Sequence, residues 1–326
     1  MSEAQNASQK SSKNDQSSKN EQPSKPASKG AVYFQAVRAF SFPASLIPCL
    51  LGAMLALLYG TQVSWYLMPF IAISLLFLHA GSNVISDVDD YRHGVDAKDT
   101  LGGSRVLPDG LLSSKEMFRF GMILFALAVL FGLPIILDRG MMVLWLGIIG
   151  IVGGFFYTGR PIGYKYIALG DIFIFLLYGP AIVTGTLYTL TGAFSISAAL
   201  ISIPLGLLVT GILQANNLRD IINDRKANIR TLATVFGEGF AKGEYVFLIA
   251  GAYLTVILLV VFSVLSVWSL LVFLSLPIAL KNMNMIKGVK IEDTGKIAML
   301  DAMTAQLTLM FGVLLSISII ITKFAG

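Results

Sequence analysis

Two groups of acidic and amide side chains stand where apolar runs meet water. In NVISDVDDYRHGVD, Asn83, Asp87 and Asp90 are spaced by four and three residues; in NNLRDIINDRK, Asn216, Asp220 and Asp224 are spaced by four and four. Either spacing places three oxygen-bearing side chains on one face of a helix that continues through them. A single carboxylate in such a place reads as a solvated helix end. Two matching groups, each with an Asn one turn before its first Asp, read as two halves of one site. Six oxygen-bearing side chains suit a hard divalent cation, and Mg²⁺ usually takes a few carboxylates and completes its shell with water and substrate phosphate. The chemistry expected is that of a phosphorylated substrate.

A diphosphate carries charge that Mg²⁺ alone does not neutralise, and Arg offers a planar, bidentate fork. Arg92, Arg105, Arg160, Lys165 and Arg219 are the candidate cations, and each also fits an ordinary basic residue of a membrane loop. Arg160 and Lys165 belong to YTGRPIGYKY, whose Gly and Pro turn formers place it at a pocket mouth. The stretch DAKDTLGGSRVLPDGLL, 96–112, is too long for a mere connector and is expected to cover the site. Its Gly102-Gly103 pair resembles a phosphate-approaching turn, but a plain turn is the favoured reading. His79 reads as a satisfied core residue. With two His and one Cys, a zinc or haem centre built on those ligands is not expected, and neither GxSxG nor HExxH occurs.

These groups need elements that hold them at a membrane boundary, and the composition supplies such elements. Of 326 residues 55% are hydrophobic and 13% charged, and the mean hydropathy is +0.75, which describes an integral membrane protein. The net charge of +5 does not point to nucleic acid, because the basic residues lie in the polar tail and in short loops between apolar runs. Residues 1–29 have nothing to bury and are expected to be disordered, with one domain following over 30–326. No signal peptide is read, and the first span is expected to be retained. Cys49, inside that span, reads as a small core residue.

Nine spans are expected near 40–60, 65–86, 118–137, 141–158, 168–190, 197–217, 244–263, 265–281 and 302–322. The division of the long run 245–280 falls near Ser263 to Ser266. Alternate connections are basic, and the others are nearly bare, with only Asp138 and Arg139 near 138–140. This asymmetry puts the N-terminus and both acidic groups on the cytoplasmic side, in a protein integral to the cytoplasmic (inner) membrane.

With these residues in view, the chain resembles the UbiA superfamily of intramembrane aromatic prenyltransferases, and within it the 1,4-dihydroxy-2-naphthoate polyprenyltransferases of menaquinone synthesis. Asp87, Asp90 and Gly94-Val95-Asp96 match the first acidic motif, SRVLPDGLLS the Arg-containing loop, and NNLRDIINDRKANIRTLA the second acidic motif. YKYIALGDIFIFLLYGPAIVTGTLY and DAMTAQLTLMFGVLLSISI are similar to the fifth and last spans. Ser86 stands where the family usually has Asn, and Asn228 and Ile229 displace its usual Gly and Lys, leaving Arg230 as the cation able to compensate.

The resemblance implies an all-α, polytopic bundle of nine membrane helices around a central cavity. It also implies Mg²⁺ held by Asp87, Asp90, Asp220 and Asp224, with Asn83 and Asn216 assisting, gripping the diphosphate, for which Arg92, Arg105, Arg160 and Lys165 are the candidate cations read from the residues. The implied partners are a polyprenyl diphosphate, 1,4-dihydroxy-2-naphthoate and the lipid bilayer, and the implied product is demethylmenaquinol. Other aromatic acceptors, 4-hydroxybenzoate or homogentisate, stay open. An ion-coupled transporter is the competing class, and acids confined to one face argue against it.

Overall fold

The computed structural model describes residues 28–325 apart from 61, 99 and 101. Residues 1–27, most of the expected disordered tail, thus lie outside the described residues. The Ser28 side chain already caps a helix, accepting from the Ala31 N–H. In chain order the helices are α1 (Lys29–Ala36), α2 (Pro43–Tyr59), α3 (Met68–Arg92), α4 (Ser114–Arg139) and α5 (Met141–Phe155). They continue with α6 (Gly170–Thr191), α7 (Ile196–Lys226), α8 (Leu232–Phe236), α9 (Glu238–Val261), α10 (Val267–Lys287) and α11 (Leu300–Ala325).

Both acid-bearing stretches are helical to their ends. Neither 82–92 nor 212–226 contains Gly or Pro, so nothing interrupts the backbone ladder where the apolar run gives way to acids. α3 stops at a left-handed Gly94 and α7 at a left-handed Asn228, residue types that tolerate positive φ. The start of α4 is fixed by a reciprocal cap: Glu116 N–H donates to Ser113 Oγ, and the Glu116 carboxylate accepts from Ser113 N–H at 2.8 Å.

All nine expected spans coincide with helices, but the count of nine does not carry over directly. Seven helices among the described residues are long and apolar enough to cross a membrane, and an eighth is the α1–α2 pair, bent by 56°, if taken as one span. The remaining one, α5, has 15 residues and spans about 22 Å at 1.5 Å per residue, less than the ~30 Å hydrocarbon core. The long run 245–280 does break where expected, between the end of α9 and Ser266, which caps α10.

α7 is the centre of the bundle. Two thirds of its most apolar stretch (67%) is buried, more than in any other span, and it packs against α6, α9 and α11. α2 lies against α11 and the second half of α6, α3 packs along α4, and α5 touches α3, α4 and α6 more lightly. Lipid tails are as apolar as the helices, so close approach rather than hydrophobic contrast holds such helices together. A Cβ on Gly179 of α6 would sit 2.9 Å from Gly206 Cα of α7, and one on Gly52 of α2 would sit 2.6 Å from the Val183 carbonyl of α6. Gly179 belongs to a π-helical turn, Leu177–Ala181, that contains Pro180.

A second, smaller core seats the 96–112 loop. Val106 and Leu107 pack with Val32 and Ala36 of α1, Val84 and Val88 of α3, and Met117 and Leu124 of α4. The apolar pair in SRVLPDG therefore anchors the loop over the end of α3.

Candidate functional site

A cavity of about 490 Å³ runs between α2, α3, α4, α5, α6 and α7. Its polar end is lined by Asn83, Ser86, Asp90 and Asp96 from the α3 side and by Asn216, Asn217, Asp220 and Asp224 from α7. Arg38, Lys165 and Arg219 complete that end. Beyond Tyr178 the wall turns apolar and reaches Ile71, Ile136 and Thr189 near the other end of the bundle.

Each cation at the polar end meets an acid. Lys165 Nζ donates to both Asp90 oxygens at 2.9 and 2.7 Å, and Tyr166 OH donates to Asp90 Oδ1 at 2.9 Å. Arg219 forks onto Asp220 at 2.9 and 2.8 Å and reaches Asp301 at 2.9 Å with its remaining nitrogen. Arg38 donates to Asp87 at 3.2 Å. Among the described residues no three carboxylates converge on one point closely enough to hold an ion by themselves. Asp224 differs: its Oδ1 is buried without a partner, as is Asn216 Oδ1 two turns earlier on the same helix. Unmatched hard oxygens on a polar cavity wall are the donor type that Mg²⁺ takes.

The loops close this end through backbone contacts. Gly102 and Gly103 lie directly over the acids; a Cβ on Gly102 would be 3.1 Å from Asp220 Oδ2 and 3.3 Å from Asp96 Oδ1, and Gly103 has φ +68°. The glycines let the chain pass where any side chain would strike a carboxylate. Ser104 N–H then donates to Asp87 Oδ2 at 2.9 Å, and Gln35 of α1 donates to Ser104 O at 2.7 Å. On the far side of the mouth, Arg230 N–H donates to Tyr166 O, joining the loop after α7 to the 159–167 loop.

Outside the helices, charge follows this geometry. Burial and then the neighbouring carboxylates of Asp90 and Asp87 push the Asp96 carboxyl up to about 7. Burial alone would lower the Lys165 ammonium, but Asp90 outweighs it and holds Lys165 well above the ordinary lysine value.

The sequence-derived candidates separate in space. Asn83, Asp90, Lys165, Asn216, Arg219, Asp220 and Asp224 share the cavity wall. Asp87 stands just behind it, 3% exposed, engaged with Arg38 and the loop. Arg92, Arg105 and Arg160 are not on the wall. Arg92 is half exposed beside Asp89. Arg105 holds its own loop together through Lys98 O and Asp109. Arg160 points to the surface, and so does Arg230, while Ile229 is buried. Arg38, Asp96, Tyr166 and Asp301 carry the site but had no assigned role in the sequence. Asp96, Tyr166 and Asp301 fall within the GVD, YKYIALGD and DAMTAQ stretches, and Arg38 falls within none.

His79 has both ring nitrogens within hydrogen-bond distance of Ser hydroxyls, Ser45 at 2.9 Å and Ser41 at 3.2 Å, as a satisfied interior histidine does, although its edge also reaches the cavity.

A family model described as the UbiA prenyltransferase family matches residues 45–319. The chain is 32% identical over 306 residues to 1,4-dihydroxy-2-naphthoate octaprenyltransferase of Bacillus subtilis (strain 168), covering 91% of this chain and 94% of that protein. It is 35% identical over 243 residues to UbiA prenyltransferase domain-containing protein 1 of Homo sapiens, covering 73% of this chain and 69% of that protein. Among solved structures, a UbiA homolog from Archaeoglobus fulgidus bound to GPP and Mg²⁺ aligns with a TM-score of 0.59 at 18% identity, over 87% of this chain and 99% of that one. The apo structure of a UbiA homolog from Aeropyrum pernix K1 aligns with a TM-score of 0.62 at 15% identity, over 88% and 98%. These structural likenesses concern the fold.

Proposed function

The chain belongs to the UbiA prenyltransferase family, and from that premise we propose that it transfers a polyprenyl group from polyprenyl diphosphate to 1,4-dihydroxy-2-naphthoate. The observation that carries this reading is the cavity itself: an acid- and cation-lined mouth leads into a long apolar chamber within a membrane bundle. A diphosphate fits the mouth, and an isoprenoid tail fits the chamber. The acceptor assignment is supported by similarity to a 1,4-dihydroxy-2-naphthoate octaprenyltransferase over nearly the whole of both chains.

Asp90, Asp220 and Asp224 on the wall, with Asn83 and Asn216 beside them and Asp87 behind, are the residues that would hold Mg²⁺. When bound there, the ion would neutralise diphosphate charge and so favour departure of the leaving group. Lys165, Arg219 and Arg38 are placed to take diphosphate oxygens when they release their carboxylates. When the allylic C–O bond breaks, the electron pair leaves with diphosphate and an allylic cation remains. The ring carbon of the acceptor supplies the new C–C bond, and CO₂ and a proton depart. The chain contributes position, charge and a dry wall that denies water to the cation.

Turnover by purified protein in lipid, with 1,4-dihydroxy-2-naphthoate or 4-hydroxybenzoate offered beside a polyprenyl diphosphate, tests the proposal. Mass spectrometry should find prenylated naphthoquinol with Mg²⁺ and none with EDTA. Asp220→Ala should lose at least about a hundredfold in turnover, the scale seen when a metal's binding environment is broken, while still inserting in the membrane. Prenylated hydroxybenzoate in place of naphthoquinol would overturn the acceptor, and undiminished activity of Asp220→Ala would overturn the site.

A further inference from the structure

Asp138 and Arg139 are the only charges that the sequence places in the otherwise bare connections, and prenyl transfer gives them no task. They lie at the end of the bundle opposite the acids. Arg139 ends α4, and its guanidinium reaches two other segments, the end of α6 and the segment before α3. Nε donates to Thr189 O at 2.6 Å, while Nη2 donates to Leu190 O at 3.2 Å and to Ser64 Oγ at 2.7 Å. Nη1 pairs with Asp138 at 3.3 Å, and Asp138 accepts from Tyr66 OH. Ser64 N–H adds a direct bond to Leu190 O at 2.9 Å.

The carbonyls of Thr189 and Leu190 belong to the last turn of α6, where backbone acceptors lack helical partners and carry the negative end of the helix dipole. A guanidinium there satisfies both carbonyls and ties α6 to α4 and to the segment before α3. The deep end of the cavity is lined by Ile136, one turn before Arg139, and by Thr189, whose carbonyl Arg139 holds. Arg139 therefore sits immediately beneath the chamber.

We propose that Arg139 is a positioning residue that seals the floor of the cavity against water from the membrane face opposite the acids. The chemical consequence rests on the prenyl-transfer reading. An allylic cation reached by water takes its electron pair from the water oxygen, forms a C–O bond, releases a proton to solvent and leaves as prenyl alcohol instead of prenylated acceptor. The seal itself is independent of that reading.

The test uses the full chain in sealed membrane vesicles of either orientation. Thr189→Cys, in a Cys49→Ala background, reports on the floor, and a membrane-impermeant cationic methanethiosulfonate is added to one side only. With Arg139 present, labelling should be slow from both sides. With Arg139→Gln it should rise at least about tenfold from the side of residues 138–140 alone, since bonds from a charged donor are lost. Ser64→Ala, which removes a single acceptor, should give a smaller rise from the same side and decides the matter if Arg139→Gln does not assemble. Unchanged labelling, or an equal rise from both sides, overturns the seal. A second readout, the ratio of prenyl alcohol to prenylated acceptor, should rise in the same variants. Increased labelling without any prenylated product from any variant would leave the seal standing and remove the proposed reaction; product formed with unchanged labelling would do the reverse.

Discussion

At the scale of single residues, the site is a set of acids held by their own counter-ions, and its response to pH and substitution follows. Asp96 ionises at about 7 in the folded chain against an ordinary value of 3.8, so between those values the folded state binds a proton that the unfolded state does not. Its stabilising contribution is present below the unfolded value and is lost as pH rises toward about 7. In metal-free protein, Asp96→Asn should therefore gain stability relative to the parent as pH is raised across that window, read as the difference in melting temperature. A difference that shrinks with pH would contradict the assignment. Lys165 is the main counter-charge of Asp90, with side chains 14% and 8% exposed. Lys165→Met should cost about 3 kcal/mol, because removing one partner strands a buried charge. Magnesium pyrophosphate should restore less of that loss than it gives the parent, since the variant lacks a cation for the diphosphate; thermal denaturation with and without the ligand measures both effects.

At the scale of elements, the cavity wall depends on how closely α6 approaches α7. Gly179 and Gly206 meet with room for no side chain, and the residue before Gly179 is Tyr178 on the cavity wall. Gly179→Ala should cost about 1–3 kcal/mol by overpacking, even though Ala is the better helix former. The atom struck is backbone, so the strain is relieved by separating the helices, and Tyr178 moves with α6. A melting temperature at or above that of the parent would show that the helices are less tightly apposed. The loop 96–112 behaves as an element in its own right, because Val106 and Leu107 root it in a core shared with α1, α3 and α4.

At the scale of the whole molecule, both acid-bearing helices finish at the same end of the bundle, where α1 and the loops after α3, α5 and α7 meet through Gln35 and Arg230. One-sided chemistry follows from this arrangement. Single cysteines placed at Lys98 and at Phe194, in the Cys49→Ala background, should be labelled by an impermeant thiol reagent from opposite faces, Lys98→Cys from the side that also exposes the N-terminus. Labelling of both from one side would invalidate the topology and with it the one-sided chamber.

Much of this was legible in the sequence because the period of a helix turns spacing into a face. Asn83 and Asp90, and likewise Asn216, Asp220 and Asp224, fall on the cavity wall as their intervals imply, and the apolar runs mark every stretch that became a long helix. Lys165 was legible too, since the turn formers around it force the loop back toward the mouth. Which cation answers which acid was not legible, because pairing is decided between segments far apart in the chain. Arg38 reaches Asp87 across 49 positions and Arg219 reaches Asp301 across 82. Arg92 and Arg105 lie nearer to the acids in sequence than Arg38 does, yet tertiary packing turned one to the surface and the other into its own loop. The sequence by itself determined that two acidic faces would form at one end of a membrane bundle, because local periodicity and hydropathy suffice for that. Only the tertiary structure decided which charges neutralise them and where the chamber closes, because these depend on the relative placement of helices that no local pattern encodes.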